Sequence, residues 1–269
     1  MLPDTVIKRN NVSIWGNGNN TLLFAHGYGC DQTMWRFITP AFQDEYKIVL
    51  FDHVGSGKSD LQAYSFEKYS TLQGYARDIV EICDVLALRN VTLVGHSVSA
   101  MIAVLAAIQE PSYFSSVVMV CPSPRYTNDG DYRGGFTPQD IESLLESLDS
   151  NYLGWSSATA PAIMGNPDRP ELGQELTASF CRNNPDIAKH FAKVTFLGDN
   201  RADLPKLTVP SLVMQCASDI IAPSHIGEYV QRHTPHSTLA MMQATGHCPH
   251  LSAPEETIMV MKQFLSRTA

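Results

Sequence analysis

In Val91-Thr92-Leu93-Val94-Gly95-His96-Ser97-Val98-Ser99-Ala100, a continuously apolar strand passes through one glycine and one histidine into a serine, and a helical run follows to Gln109. A strand-to-helix turn this sharp lifts the serine hydroxyl above the sheet edge. It also aims a helix N-terminus at that hydroxyl, which favours negative charge developing there. Small residues on both sides let the backbone make the turn. The stretch departs from the G-x-S-x-G pattern because Ser99 stands where the second glycine is usual, yet a serine is still small enough for close helix packing. The bland alternative is a tight turn with an exposed serine, and the choice between the two rests on whether the chain supplies the partners a nucleophilic serine needs.

Working outward, further short apolar runs frame this stretch: Thr21 to Ala25, Ile48 to Phe51 and Ser116 to Val120. Continuously apolar strands of this length are what a parallel sheet covered on both faces requires. Between them Leu72, Tyr75, Ala76, Ile79, Ile82, Cys83 and Leu86 recur at three- and four-residue spacing, one buried face of an amphipathic helix. The pattern is βαβ with right-handed crossovers. From about Thr137 to Phe196 it changes to helical stretches such as Ile141, Leu144, Leu145 and Leu148, broken by Gly154, Pro161, Pro167, Pro170 and Pro185. The sheet resumes with Ser211 to Cys216 and a strand near Leu239 to Gln243. A last helix around Glu256 to Leu265 buries Ile258, Met261 and Leu265. Residues 1–127 and 199–269 are therefore expected to form one core, and 128–198 a helical lid inserted into it.

A serine hydroxyl needs a base within hydrogen-bond reach, and the base needs a third group to hold its tautomer. In this architecture the chain order is Ser, then Asp or Glu, then His. Asp219 follows the strand Ser211 to Cys216 in Ala217-Ser218-Asp219-Ile220-Ile221-Ala222-Pro223, a loop at a strand's C-terminal end; Asp203, the nearest rival, precedes that strand. His247 follows the strand near Leu239 in Gly246-His247-Cys248-Pro249-His250, where glycine and proline fix a sharp loop, and His250 is the fallback. His26 and His96 flank the site, with structural hydrogen bonding as their expected role. His26-Gly27-Tyr28-Gly29 follows the first strand, so the backbone N–H groups of Tyr28 and Val98 are the candidate oxyanion hole. These elements specify an α/β-hydrolase fold with Ser97 as nucleophile, His247 as base and Asp219 as its orienting acid. Asp52-His53-Val54-Gly55-Ser56-Gly57-Lys58-Ser59 lacks the four residues a phosphate-binding loop places between its first glycine and Gly-Lys, and reads as a structural turn.

Composition narrows the partners. With 269 residues, 44% apolar content and a net charge of −8, the chain suits one large core and offers no clustered basic surface for nucleic acid. Met1 to Thr5 shows neither the basic start nor the apolar run of a signal peptide, and no stretch reaches a membrane span, so a cytoplasmic location is expected. Cys30, Cys83, Cys121, Cys181, Cys216 and Cys248 are scattered singly and read as reduced, mostly buried thiols. The histidines show no metal-ligand spacing, and no metal or organic cofactor is called for.

With these residues in place, the chain resembles the α/β-hydrolase group that contains the bacterial stress-response regulator RsbQ and the plant karrikin and strigolactone receptors. The resemblance runs from about Val12 to the C-terminus. It is carried by His26-Gly27-Tyr28-Gly29-Cys30-Asp31-Gln32, Gly95-His96-Ser97-Val98-Ser99-Ala100-Met101, Ser123-Pro124-Arg125-Tyr126, Gly134-Gly135-Phe136 and Gly246-His247-Cys248-Pro249-His250. It implies a lid of four helices over a hydrophobic pocket, with Tyr28, Tyr126, Phe136, Leu144, Trp155, Phe196 and Ile221 around it and His96 beside it. Tyr28 stands where the group commonly has phenylalanine, and its hydroxyl bears on ligand choice. An apolar pocket suits a small hydrophobic ester or lactone, and the bacterial relative implies a partner phosphatase with a PAS sensor domain. Three readings stay open: a hydrolase with a regulatory output, a metabolic carboxylesterase or lactonase with no protein partner, and a ligand-binding signalling protein with little turnover.

Overall fold

A computed structural model describes residues 3–268 of the chain; Met1 and Leu2, part of the N-terminal stretch read above as lacking a leader pattern, lie outside them. The first half runs α1 (Pro3–Arg9), β1 (Ser13–Trp15), β2 (Asn20–Ala25), β3 (Tyr46–Leu50), α2 (Leu72–Val85), β4 (Val91–His96), α3 (Val98–Gln109) and β5 (Phe114–Val120). Four helices follow, α4 (Pro138–Ser150), α5 (Tyr152–Met164), α6 (Pro170–Cys181) and α7 (Pro185–Phe196). The chain then completes the sheet with β6 (Ser211–Ser218), α8 (Ser224–His233), β7 (Ser237–Thr245), α9 (Pro249–Ser252) and α10 (Pro254–Thr268).

The seven strands lie in the order β1-β3-β2-β4-β5-β6-β7. All pairs are parallel except β1 with β3, which is antiparallel with Ser13 opposite Leu50. The α/β-hydrolase fold expected from the sequence is the one observed, with β4 near the middle and its C-terminal end at Ser97. Strand β1 was not foreseen: three residues are too few to show a period of two, and all are at least partly exposed. Helix α8 was also missed, although it buries Ile226, Gly227 and Val230 on one face.

Alternate residues of each strand feed opposite faces, as the strand period demands. Leu23, Val49 and Leu93 pack with Ile79, Ile82 and Ile102 of α2 and α3, and this cluster continues without a break into Leu148, Trp155 and Phe191 of the inserted helices. Leu22, Phe24, Val94 and Met214 pack on the other face with Trp35, Met261 and Leu265. Burying side chains of this size contributes roughly 1.5–3 kcal/mol each. The inserted helices also correct one expectation about prolines. Pro138, Pro170 and Pro185 stand at the first turn of α4, α6 and α7, where a missing N–H costs nothing, and Thr137 and Asp140 form a capping box ahead of α4. Gly154 and Pro161 lie within α5 rather than ending it, and Asn151 caps the first turn by accepting from the Gly154 N–H.

Candidate active site

The elbow is built by backbone. β4 ends at His96, α3 begins at Val98, and Ser97 between them is forced to φ 58° and ψ −125°, a conformation that costs a non-glycine residue about 1–3 kcal/mol. Its N–H donates to Val120 O on β5 at 2.8 Å, which anchors the strained residue to the neighbouring strand. A Cβ on Gly95 would lie 2.1 Å from the Ser99 carbonyl oxygen, so the turn closes only over glycine. Val98 opens α3, and among the turn and loop hydrogen bonds of the described residues neither its N–H nor that of Tyr28 donates. A Cβ on Gly27 would sit 3.3 Å from Ser97 Cβ, which places the His26 to Gly29 loop directly against the serine.

The other two sequence candidates reach the same hydroxyl. His247 Nε2 lies 2.7 Å from Ser97 Oγ, and His247 Nδ1 lies 2.7 Å from Asp219 Oδ2. With a carboxylate facing Nδ1, the neutral ring carries its proton there and turns the Nε2 lone pair to the serine. Asp219 Oδ1 accepts from the N–H groups of Ile221 at 2.8 Å and Ala222 at 3.1 Å, so the loop after β6 fixes the carboxylate from behind. The histidine loop is fixed from both domain halves: Gly246 N–H donates to Ser218 O on β6, and His247 N–H donates to Ile163 O on α5 at 3.0 Å.

Ser99, the departure from the usual motif, has a structural use. Its hydroxyl donates to His26 O at 2.5 Å and accepts from His53 Nε2 at 2.7 Å, tying the elbow to the loop that carries the Tyr28 N–H. His26 in turn accepts from the His53 N–H through Nε2 at 3.0 Å and donates from Nδ1 to Gly27 O at 2.9 Å. His96 donates from Nε2 to His247 O at 2.7 Å. Burial holds His26, His53 and His96 below the ordinary imidazole range, the last two far below it, so these rings act as neutral hydrogen-bonding struts.

The cavity at Ser97 is small. Space open to the centres of water-sized spheres amounts to about 30 Å³, room for about two waters. Of the residues expected around it, Tyr28, His96, Tyr126, Phe196 and Ile221 do line it. Phe136, Leu144 and Trp155 do not. Trp155 stands one layer back, stacked on Phe180 with ring centroids 5.9 Å apart and planes 8° apart, and Phe180 takes the wall position. Leu144 is half-buried at the margin of a helix that turns Ile141, Leu145 and Leu148 inward, and Phe136 donates its N–H to the Tyr126 carbonyl from behind. The wall also includes Cys30, Ile163, Leu176, Thr195 and Cys248, which sequence reasoning did not assign to it. The Tyr28 hydroxyl donates to Ala188 O on α7 at 3.1 Å, so it serves the contact between loop and helix. Burial raises the Tyr126 hydroxyl above the ordinary phenol range, with a hydrogen bond to Ser97 pulling the other way.

Among the described residues, two clusters bring three potential metal-ligand atoms within 4.8 Å: Cys121, Asp219 and His247, and His96, Cys248 and His250. In the first, Asp219 and His247 are already hydrogen-bonded to each other. In the second, His96 uses one nitrogen on His247 O, and burial pushes the His250 imidazole down to about 3 and the Cys248 thiol well up. In the first cluster the ligand atoms of Asp219 and His247 are thus engaged with each other, and in the second the His250 ring packs on Trp35.

A buried serine at a strand-to-helix elbow, linked through one imidazole to a carboxylate at the C-terminal rim of a parallel sheet, defines a hydrolase of the α/β type. The chain belongs to the alpha/beta hydrolase family, whose model matches residues 22–260. It is 38% identical over 257 residues to Karrikin insensitive 2 receptor CA of Petunia hybrida, covering 95% of each chain. It is 35% identical over 268 residues to Strigolactone esterase D14 of Arabidopsis thaliana, covering 99% of this chain and 100% of the other. Among solved structures, a hydrolase from Oleispira antarctica superposes with a TM-score of 0.96 at 42% identity, covering 99% and 98% of the two chains. The resemblance to the receptor-like group read from the motifs therefore holds along nearly the whole sequence.

Proposed function

We propose that this protein hydrolyses a small hydrophobic carboxylic ester or lactone, butenolide-like in size and polarity, through Ser97, His247 and Asp219. The observation that carries this reading is the unbroken line from Ser97 Oγ to His247 Nε2 and from His247 Nδ1 to Asp219 Oδ2, each step 2.7 Å. Ser97 Oγ attacks the carbonyl carbon as its proton passes to His247 Nε2, and Asp219 stabilises the imidazolium. The N–H groups of Tyr28 and Val98 receive the developing oxyanion. Collapse expels the alcohol, which takes the proton from His247; in a lactone that alcohol stays tethered to the acyl group. Water then attacks the acyl-serine by the same proton route and releases the acid. One of the relatives, Strigolactone esterase D14, is named as an ester hydrolase.

The cavity's size bears on the biological output. Space for about two waters is less than a lactone ring needs, so ligand entry displaces wall side chains of the inserted helices, which in this reading act as a lid over the site. Occupancy is thereby coupled to the shape of an external surface, which supports a regulatory output, with a PAS-domain phosphatase as the partner class. The test is steady-state hydrolysis of a short-chain aryl ester and of a synthetic butenolide by wild type and by Ser97→Ala. Turnover by wild type and loss of about 10⁶-fold in kcat in the variant, at unchanged Tm, is the expected result; substantial turnover by Ser97→Ala defeats the assignment.

A further inference from the structure

Among the described residues that line the Ser97 cavity, two carry a buried polar side-chain atom without a hydrogen-bond partner: His96, whose Nδ1 lies against Gly27, and Thr195. Thr195 on α7 is only 4% exposed and lines the cavity, and its Oγ1 has no hydrogen-bond partner among the described residues. A helical serine or threonine ordinarily satisfies its hydroxyl on the carbonyl four residues back. Six among the described residues do so: Ser156 on Tyr152, Ser157 on Leu153, Thr177 on Gly173, Thr234 on Val230, Ser252 on Cys248 and Thr257 on Ala253, at 2.7–3.3 Å. Thr195 has the Phe191 carbonyl at the same spacing and does not take it. Of the other wall side chains, Ile163, Leu176, Phe180, Phe196 and Ile221 have no polar atom to offer, the Tyr28 hydroxyl is used on Ala188 O, and Ser97 and His247 are bonded to each other. A buried hydroxyl without a partner destabilises the fold, so its partner is expected to arrive with the ligand.

We propose that Thr195 determines specificity: its hydroxyl hydrogen-bonds a second oxygen of the substrate, separate from the carbonyl that Ser97 attacks. The preferred class is thus an ester or lactone bearing a further ether, carbonyl or hydroxyl oxygen on an otherwise apolar frame. This inference rests on the serine-esterase reading above, and its test is arranged to separate the two.

The probes are phenyl methoxyacetate and phenyl butanoate, which differ by one oxygen in place of a methylene. Comparing the ratio of their kcat/KM values between proteins cancels their intrinsic reactivities. Thr195→Val, nearly isosteric, is expected to lower the methoxyacetate-to-butanoate ratio about ten-fold, and Thr195→Ser to restore it. Because Thr195→Val removes an unpartnered buried polar group, its Tm is expected to rise by about 2–4 °C, whereas a hydroxyl with a structural role would lower it. Calorimetric binding of both probes to Ser97→Ala, with and without Thr195→Val, gives the same comparison without turnover. A wild type that cleaves neither ester, with a Thr195-dependent ratio of Kd values in the Ser97→Ala background, would remove the esterase reading and keep this one. An unchanged ratio in both assays, equal losses on both probes with a lowered Tm, or no measurable binding of the methoxyacetate would overturn it.

Discussion

The rim of the sheet and the inserted helices meet at one serine but are built by different means. On the rim, position is set by backbone: the Ser97 N–H on Val120 O, the Gly246 N–H on Ser218 O, and two N–H groups on the Asp219 carboxylate. On the helical side the wall is made of packed side chains, Phe180, Phe196, Ile163 and Leu176, joined to the rim through a few bonds. Gly29 O accepts from Ser179 Oγ and Asn183 Nδ2, both at 2.9 Å, and Ala188 O accepts from Tyr28. Gly29 is held at φ +71°, and a Cβ there would lie against the Phe180 ring, so the His26 to Gly29 loop and the helical wall touch without room between them. The contrast separates two kinds of construction: the reactive line is held by strand ends and tight loops, whereas the cavity wall facing it is held by helix packing.

The sharpest break in this contrast is Asp219→Asn. The amide oxygen can still accept from Ile221 and Ala222, but its NH₂ faces His247 Nδ1 and reverses the tautomer. A fall in kcat of about 10⁴-fold with little change in Tm is expected, measured by hydrolysis and thermal melts; a loss of fold instead would make the carboxylate structural first. On the helical side, Phe180→Ala removes the ring between Gly29 and Trp155. It is expected to destabilise by about 3–5 kcal/mol in urea unfolding. It should also shift the aryl-ester preference toward longer acyl chains, with the acetyl ester losing less than ten-fold in kcat. A uniform loss on all chain lengths would show that wall and reactive line are not separable.

The smallest effect concerns His250, which packs on Trp35 with ring centroids 4.7 Å apart. Neither ring nitrogen has a hydrogen-bond partner among the described residues, and burial depresses its pKa to about 3. The unfolded chain binds this proton near pH 6.5 and the folded chain does not, so the stability is present above pH 6.5 and is lost as pH falls toward 3. Between pH 6.5 and 5 the group contributes a loss of about 2 kcal/mol. His250→Leu is expected to remove that part of the pH dependence of urea unfolding. His26, His53 and His96, also depressed by burial, would retain a slope of the same sign.

What could be read in advance follows the same division. Gly95 to Ser99, Ala217 to Pro223 and Gly246 to Pro249 are short segments in which the residue and the turn that aims it are adjacent, so local chemistry pointed to groups that the fold brings within hydrogen-bond reach. The sheet was legible because its central strands are apolar on both faces. Edge strand β1 was not, being short and half-exposed. The helical wall was hardest, because which face of α5, α6 and α7 meets the cavity depends on how the helices rotate against one another. Trp155 was expected there, yet stacking on Phe180 sets it one layer back; Leu176 and Thr195 look like ordinary helix positions until the packing is known. Cys30 and Cys248, read as core thiols, are buried as expected and also line the cavity.

The central claim is that Ser97 is the group acylated at the base of this cavity. It is tested most directly by intact-mass and peptide-mapping mass spectrometry after exposure to a small aryl alkylphosphonate, which a serine hydrolase converts into a stable phosphonyl-serine. One added phosphonyl group is expected, mapped to the peptide containing Ser97 and absent from Ser97→Ala. An adduct on another residue, or equal labelling of wild type and Ser97→Ala, would contradict it.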